Sequence, residues 1–200
     1  MFGTGFFERY DEASDAVFYA PPRLVTHLDD AAVAEVGRLY ADLGLTGEVL
    51  DLMSSWVSHF AEPPARLTVL GMNELELARN PAASARVVHD LNVDPRLPFA
   101  DDSFDAVTCC VSVDYLVRPV EVFTDVRRVL RPGGPLVTTF SNRCFPTKAI
   151  RGWLAASEAG RVAIVEEYFA LGGFTDVRAE RRNPGAPGDP LYAVWGRREQ

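Results

Sequence analysis

Residues 104–140 read FDAVTCCVSVDYLVRPVEVFTDVRRVLRPGGPLVTTF. The stretch opens on an apolar run of strand length, Phe104 to Val111, and closes on another, Pro135 to Phe140. Between them Pro119 takes a first-turn position, and Val122, Phe123, Val126, Val129 and Leu130 recur at helical spacing until Arg131-Pro132-Gly133-Gly134 stops the helix. A strand, a crossover helix and a second strand make a parallel pair, and a parallel sheet needs helices over its faces.

The same alternation extends in both directions. Upstream, Asp29-Asp30 provide an N-cap for a helix with Val33, Val36, Tyr40 and Leu43 on one stripe, closed by Gly44. Short apolar runs then predict strands at Gly47 to Met53 (GEVLDLM), Arg66 to Leu70 (RLTVL) and Arg86 to His89 (RVVH), separated by short, helix-compatible gaps. Downstream, helix-period segments at Thr147 to Ala155 and Gly160 to Leu171 lead through Gly172-Gly173 to strands at Phe174 to Ala179 and Leu191 to Trp195. Residues 183–190, rich in Pro and Gly, make a turn between those last two strands. The chain therefore reads as one compact α/β unit over 47–200, preceded at 1–46 by a cap segment and its helix. The first 28 residues are aromatic and irregular, as in a segment that lies across something else.

Composition narrows the function. The 200 residues carry a net charge of −8, which argues against affinity built on neutralising phosphates, so no nucleic-acid partner is expected. Lys148 is the one lysine, and any anion clamp would be built from arginine. No apolar stretch reaches membrane-spanning length, and the acidic N-terminus lacks a signal-peptide pattern, which predicts a cytoplasmic protein without a membrane partner. Cys109 and Cys110 are adjacent and point to opposite faces of a strand, with Cys144 alone downstream, so neither a disulfide framework nor a zinc site is expected. His27, His59 and His89 are too scattered for a metal site, although His59 follows a strand-tip turn.

In open parallel sheets, ligands bind beyond the carboxyl ends of the strands, near the point where strand order reverses. The residues at those tips are Asp51 to Trp56, Gly71 to Glu74, Asp90 to Asn92, Ser112 to Tyr115 and Ser141 to Cys144. Each group carries polar side chains.

The succession VLDL, LPFADDSFDAV and VLRPGG resembles the class I S-adenosylmethionine-dependent methyltransferases from Gly47 to Trp195. LDLMSSWVSH, VSVDYL and FSNRCFPTKAI are similar to a branch of that superfamily also found in plants, whose substrate is not implied by the likeness. The resemblance implies a Rossmann-like methyltransferase fold: a seven-stranded, mostly parallel sheet with helices on both faces and the last strand antiparallel. It implies S-adenosyl-L-methionine as cofactor, held by Asp51, Met53, Ser54, Ser55, Trp56, Asn73, Glu74, Asp90 and Leu91. Met53, Ser55 and Val57 replace the family's close-approach glycines, and Asn73 replaces its ribose-binding acid, with Glu74 as the nearby substitute. Asp114 and Tyr115 are the expected catalytic pair on the acceptor side, with Asn142 and Arg143 orienting an anionic acceptor. The expected partner is a small-molecule methyl acceptor, and the expected state a monomer or homodimer. The replaced glycines support a second reading: a non-catalytic or repurposed cofactor- or nucleotide-binding protein of the same fold.

Overall fold

The computed structural model describes residues 2–185 and 188–200. Its seven strands are β1 Glu48–Leu52, β2 Arg66–Gly71, β3 Ala85–Val88, β4 Ala106–Cys110, β5 Pro135–Phe140, β6 Thr175–Asn183 and β7 Leu191–Arg197. They form one sheet in the order β3-β2-β1-β4-β5-β7-β6. β1 through β5 are parallel, with Val49 opposite both Leu67 and Ala106, and β7 runs antiparallel between β5 and β6. Strand order reverses between β1 and β4, which places the switch point over their carboxyl ends.

Among the described residues six α-helices accompany the sheet: α1 Asp15–Phe18, α2 Asp30–Asp42, α3 Glu74–Ala78, α4 Pro119–Val129, α5 Arg151–Ala155 and α6 Glu158–Leu171. Alternate strand residues feed two cores. Leu50, Leu70, Val107 and Cys109 pack under α4, α5 and α6, while Val49, Leu67, Val69, Ala106 and Val137 pack under α2 and α3. β5 is buried along its whole length because both of its faces are covered. The two cysteines of β4 face opposite cores, as their adjacency predicts. At the sheet edge, β6 is largely exposed and charged, a composition that discourages further strand pairing.

The sequence expectation fails in two places. The gaps 53–65 and 90–105 contain no α-helix, and only the β2–β3 gap holds one, α3. Pro63-Pro64 and Pro95 with Pro98 remove the amide donors that a helix would need there. The helix expected from Thr147 begins at Arg151 instead. The Ile150 amide donates to the Asp114 carbonyl across the fold, and the Lys148 ammonium is drawn to the carbonyls of Asp11 and Ala13, so tertiary partners take groups that a helix would have aligned. Of the turn read at 183–190, residues 186 and 187 lie outside the described residues.

Candidate active site

Asp51, in β1, is 4% exposed. Its Oδ2 accepts from the hydroxyls of Ser54 and Ser58 at 2.6 Å each, and its Oδ1 accepts from Thr108 at 2.8 Å. Burial pushes this carboxyl above its ordinary range, and the three hydroxyls pull it back. The turn after β1 is rigid as well: Asn80 Nδ2 donates to the Ser55 carbonyl at 3.1 Å and to Ser58 Oγ at 2.8 Å. Met53 keeps a left-handed backbone, with φ of 52°, where the family uses glycine. Close approach is supplied from β2 instead. The Ser54 amide donates to the Leu70 carbonyl at 2.8 Å, and a Cβ on Gly71 would fall 2.2 Å from the Ser54 carbonyl oxygen.

At the β2 tip, Asn73 caps α3 through its carbonyl and donates through Nδ2 to the carbonyls of Tyr19 (2.8 Å) and Ala20 (3.1 Å). Glu74 is exposed and stands outside the cavity wall. From this tip the carboxylate that reaches the cavity is Glu76, two residues further on. Its Oε1 accepts from the Arg23 amide at 2.6 Å and its Oε2 from Ser55 Oγ at 2.5 Å. Sequence reading placed the acid at Glu74 because it counted from the strand end, whereas the helical turn of α3 carries Glu76 to the inner face.

Beyond β3, Asp90 Oδ1 accepts from the Asn92 amide at 2.9 Å and the Val93 amide at 3.3 Å, while Leu91 is buried beside it. Asn92 joins three segments. Its Nδ2 donates to Asp15 Oδ2 and to the Tyr115 carbonyl, both at 2.9 Å, and its Oδ1 accepts from the Val117 amide at 2.9 Å.

Beyond β4 the expected catalytic pair is divided. Tyr115 lines the cavity, and its hydroxyl accepts from the Phe145 amide at 2.8 Å. Burial raises the Tyr115 phenol, with Asp114 adding to it, so the hydroxyl keeps its proton. Asp114 is buried, does not line the cavity, and lies near Tyr168. Among the described residues its Oδ2 has no hydrogen-bond partner, and burial pushes the carboxyl up to about 8. At the β5 tip Arg143 pairs with Asp189 at 2.7 Å, and neither it nor Asn142 lines the cavity.

The N-terminal segment forms the roof of the cavity. The Arg151 and Gly152 amides hold it by donating to the carbonyls of Glu8 (2.8 Å) and Phe6 (2.9 Å), and Asp11 donates to Thr147 at 2.9 Å. Beneath it, Asp15 accepts from Arg9 at 2.8 Å and meets Lys148 Nζ at 3.0 Å. The segment contributes Asp15, Tyr19, Arg23 and His27 to the cavity wall. These residues carried no motif, so only their clustering with aromatics marked them in the sequence.

One cavity thus brings together Asp51, Met53, Ser54, Ser55, Trp56, Asn73, Asp90, Leu91 and Tyr115, together with the unforeseen Glu76 and the roof. It opens over the tips of β1 through β4, with an apolar floor beside Leu91 and carboxylates at Glu76 and Asp90. These groups fit a nucleoside with an amino-acid tail. Asp90 Oδ2 has no protein donor among the described residues and suits an exocyclic amine, and each Glu76 oxygen retains a lone pair for a hydroxyl. Among the described residues no group of three His, Cys, Asp or Glu side chains is placed to hold a metal, and no helix is long and apolar enough to cross a membrane.

A sheet of this order, with its cavity at the switch point, is the Rossmann-like fold also seen in a solved S-adenosylmethionine-dependent methyltransferase of Mesorhizobium loti (TM-score 0.59, 19% identity, 82% of this chain and 98% of that one). A family of methyltransferase domains matches residues 42–138. Methyltransferase GfsG of Streptomyces halstedii is 27% identical over 171 residues, covering 77% of this chain and 62% of that protein. Demethylmenaquinone methyltransferase of Mycobacterium sp. (strain KMS) is 48% identical over 56 residues, 26% of this chain and 24% of its own. The chain therefore spans less than two thirds of the length of either relative. In fold it is similar to a chain in the complex of the Haloferax volcanii Trm112 methyltransferase activator with a methyltransferase (TM-score 0.65, 15% identity, 86% of this chain and 92% of that one). It is also similar to the [4+2]-cyclase SpnF (TM-score 0.61, 15% identity, 82% and 80%).

Proposed function

We propose that this chain binds S-adenosylmethionine in the roofed cavity and transfers its methyl group to a small organic acceptor. The observation that carries this reading is the convergence of the β1, β2, β3 and β4 tips on one cavity beneath residues 15–27. Asp90 and Leu91 take the adenine end, Glu76 the ribose hydroxyls, and Ser55 and Trp56 the side wall. When bound, the cofactor supplies an electrophilic methyl on a sulfonium, a good leaving group, so alignment of the acceptor accounts for much of the rate.

The chain's own residues bind, orient and exclude water. Tyr115, whose oxygen is already engaged by the Phe145 amide, presents its O–H as a donor that orients an acceptor heteroatom. Tyr19 and Phe145 enclose the same end. Asp114 has no direct contact with the cavity and influences the site through the adjoining Tyr115. The roof limits the opening, which favours a small acceptor over a macromolecule.

Calorimetric titration with S-adenosylmethionine and S-adenosylhomocysteine tests the assignment. One site for both ligands is expected, and no heat or thermal shift with either at millimolar concentration overturns it. The second reading, a cofactor-holding protein that does not transfer methyl, draws on the fold's occurrence in a cyclase. Binding without S-adenosylhomocysteine release across a panel of phenols, alcohols and amines would select it.

A further inference from the structure

The cavity wall is rich in acids, with Asp15, Asp51, Glu76 and Asp90, yet the proposed cofactor carries a carboxylate that needs a donor. In the wider family the glycine-rich turn lets backbone amides come close to that tail. Here the Ser54 amide is spent on Leu70, and the Ser54 and Ser58 hydroxyls on Asp51. Among the described residues of the wall, Arg23 is the one permanent cation. Lys148 lies behind Asp15 and is consumed by it and by Asp11. The imidazoles of His27 and His59 are held by burial below their ordinary pKa and stay neutral.

Arg23 is also held in place. Its amide donates to Glu76 at 2.6 Å, its Nη2 donates to the Phe18 carbonyl at 2.9 Å, and its guanidinium lies 4.5 Å from the Phe18 ring centre and 5.5 Å from that of Phe145. The remaining donors are lightly used: Nη1 has one long contact with the Pro21 carbonyl at 3.4 Å, and no carboxylate pairs with the guanidinium among the described residues. A planar fork, stacked and anchored at one corner beside the ribose-side carboxylate, is prepared to receive a carboxylate.

We propose that Arg23 binds the carboxylate of the cofactor's amino-acid tail, so that the N-terminal roof replaces the lost glycine turn as the tail's anchor. The proposal rests on the cofactor reading above, and two ligands separate the two claims. S-adenosylhomocysteine carries the tail, whereas methylthioadenosine keeps the nucleoside and sulfur but lacks it. Calorimetry on wild type, Arg23→Gln and Arg23→Lys is expected to show a loss of about 10-fold or more in S-adenosylhomocysteine affinity for Arg23→Gln, as removal of a charge-assisted bond implies. Methylthioadenosine affinity should change less than about 2-fold, and Arg23→Lys should fall between wild type and Arg23→Gln. Equal weakening of both ligands in a variant with wild-type thermal stability overturns the proposal and makes Arg23 part of the roof alone. Unchanged affinity for both also overturns it. Failure of wild type to bind either ligand removes the cofactor reading itself. Should Arg23→Gln not fold, the ratio of the two affinities in Arg23→Lys decides: a ratio equal to that of wild type counts against the proposal.

Discussion

Lys148 Nζ lies 3.0 Å from Asp15 Oδ1, and both side chains are all but closed to solvent. The pair joins the N-terminal roof to the segment between β5 and α5, and Arg9 and Asp11 complete a network of two cations and two acids. The roof is thereby a fixed wall of the cavity. Since Asn92 also donates to Asp15 at 2.9 Å, the network extends to the β3 tip, where the adenine end of the proposed cofactor lies.

Removing the cation should release this wall. Lys148→Met leaves the buried Asp15 without one of its cationic partners, and it is expected to lower unfolding free energy by about 3–5 kcal/mol, as breaking a buried pair does. Urea denaturation measures the loss. Acid should act on the same network. Burial pushes the Asp15 carboxyl up, but the hydrogen bonds from Asn92, Arg9 and Lys148 outweigh it and hold it below its ordinary value. A depressed carboxyl adds stability above its unfolded pKa and loses it as pH falls through the folded one. Limited proteolysis should then cut near residues 9–28 at acid pH before the sheet unfolds.

Asp114 predicts the opposite slope. Its carboxyl, raised by burial from the ordinary carboxylate range to about 8, binds a proton in the folded state that the unfolded chain has lost across that interval. This group's contribution to stability therefore declines as pH rises from about 4 to about 8. Asp114→Asn should flatten that part of the stability profile and leave the protein more stable than wild type near pH 8. A wild-type and variant pair with parallel profiles would count against a protonated Asp114.

Gly71 is the position where a single methyl should do most harm. Its Cβ would meet the backbone oxygen of Ser54 at 2.2 Å, and that oxygen belongs to a turn pinned by Asp51 and Asn80. Gly71→Ala is expected to cost about 1–3 kcal/mol, the range of overpacking, and to weaken S-adenosylhomocysteine binding. Thermal melting and calorimetry check the two effects separately.

Much of the sheet was legible in the sequence because burial on both faces leaves a continuous apolar run. GEVLDLM, RLTVL and PLVTTF have little alternative to a central strand, and Pro119 with Gly133-Gly134 bounds α4 by backbone chemistry alone. The strand tips were legible for the same reason, since a polar residue after such a run must sit at the sheet's end. What tertiary structure alone decided is which polar groups at those tips are spent and which remain. Asp51 is enclosed by hydroxyls from its own turn and from β4, Asp114 is buried off the cavity while its neighbour Tyr115 lines it, and Glu76 rather than Glu74 faces inward. The roof residues Asp15 and Arg23 reach the site from a segment without periodicity, through contacts spanning 77 residues to Asn92 and 53 to Glu76. Periodicity along the chain reports which face of an element is apolar, whereas the pairing of a carboxylate with a distant donor depends on three-dimensional distance, which no local pattern encodes.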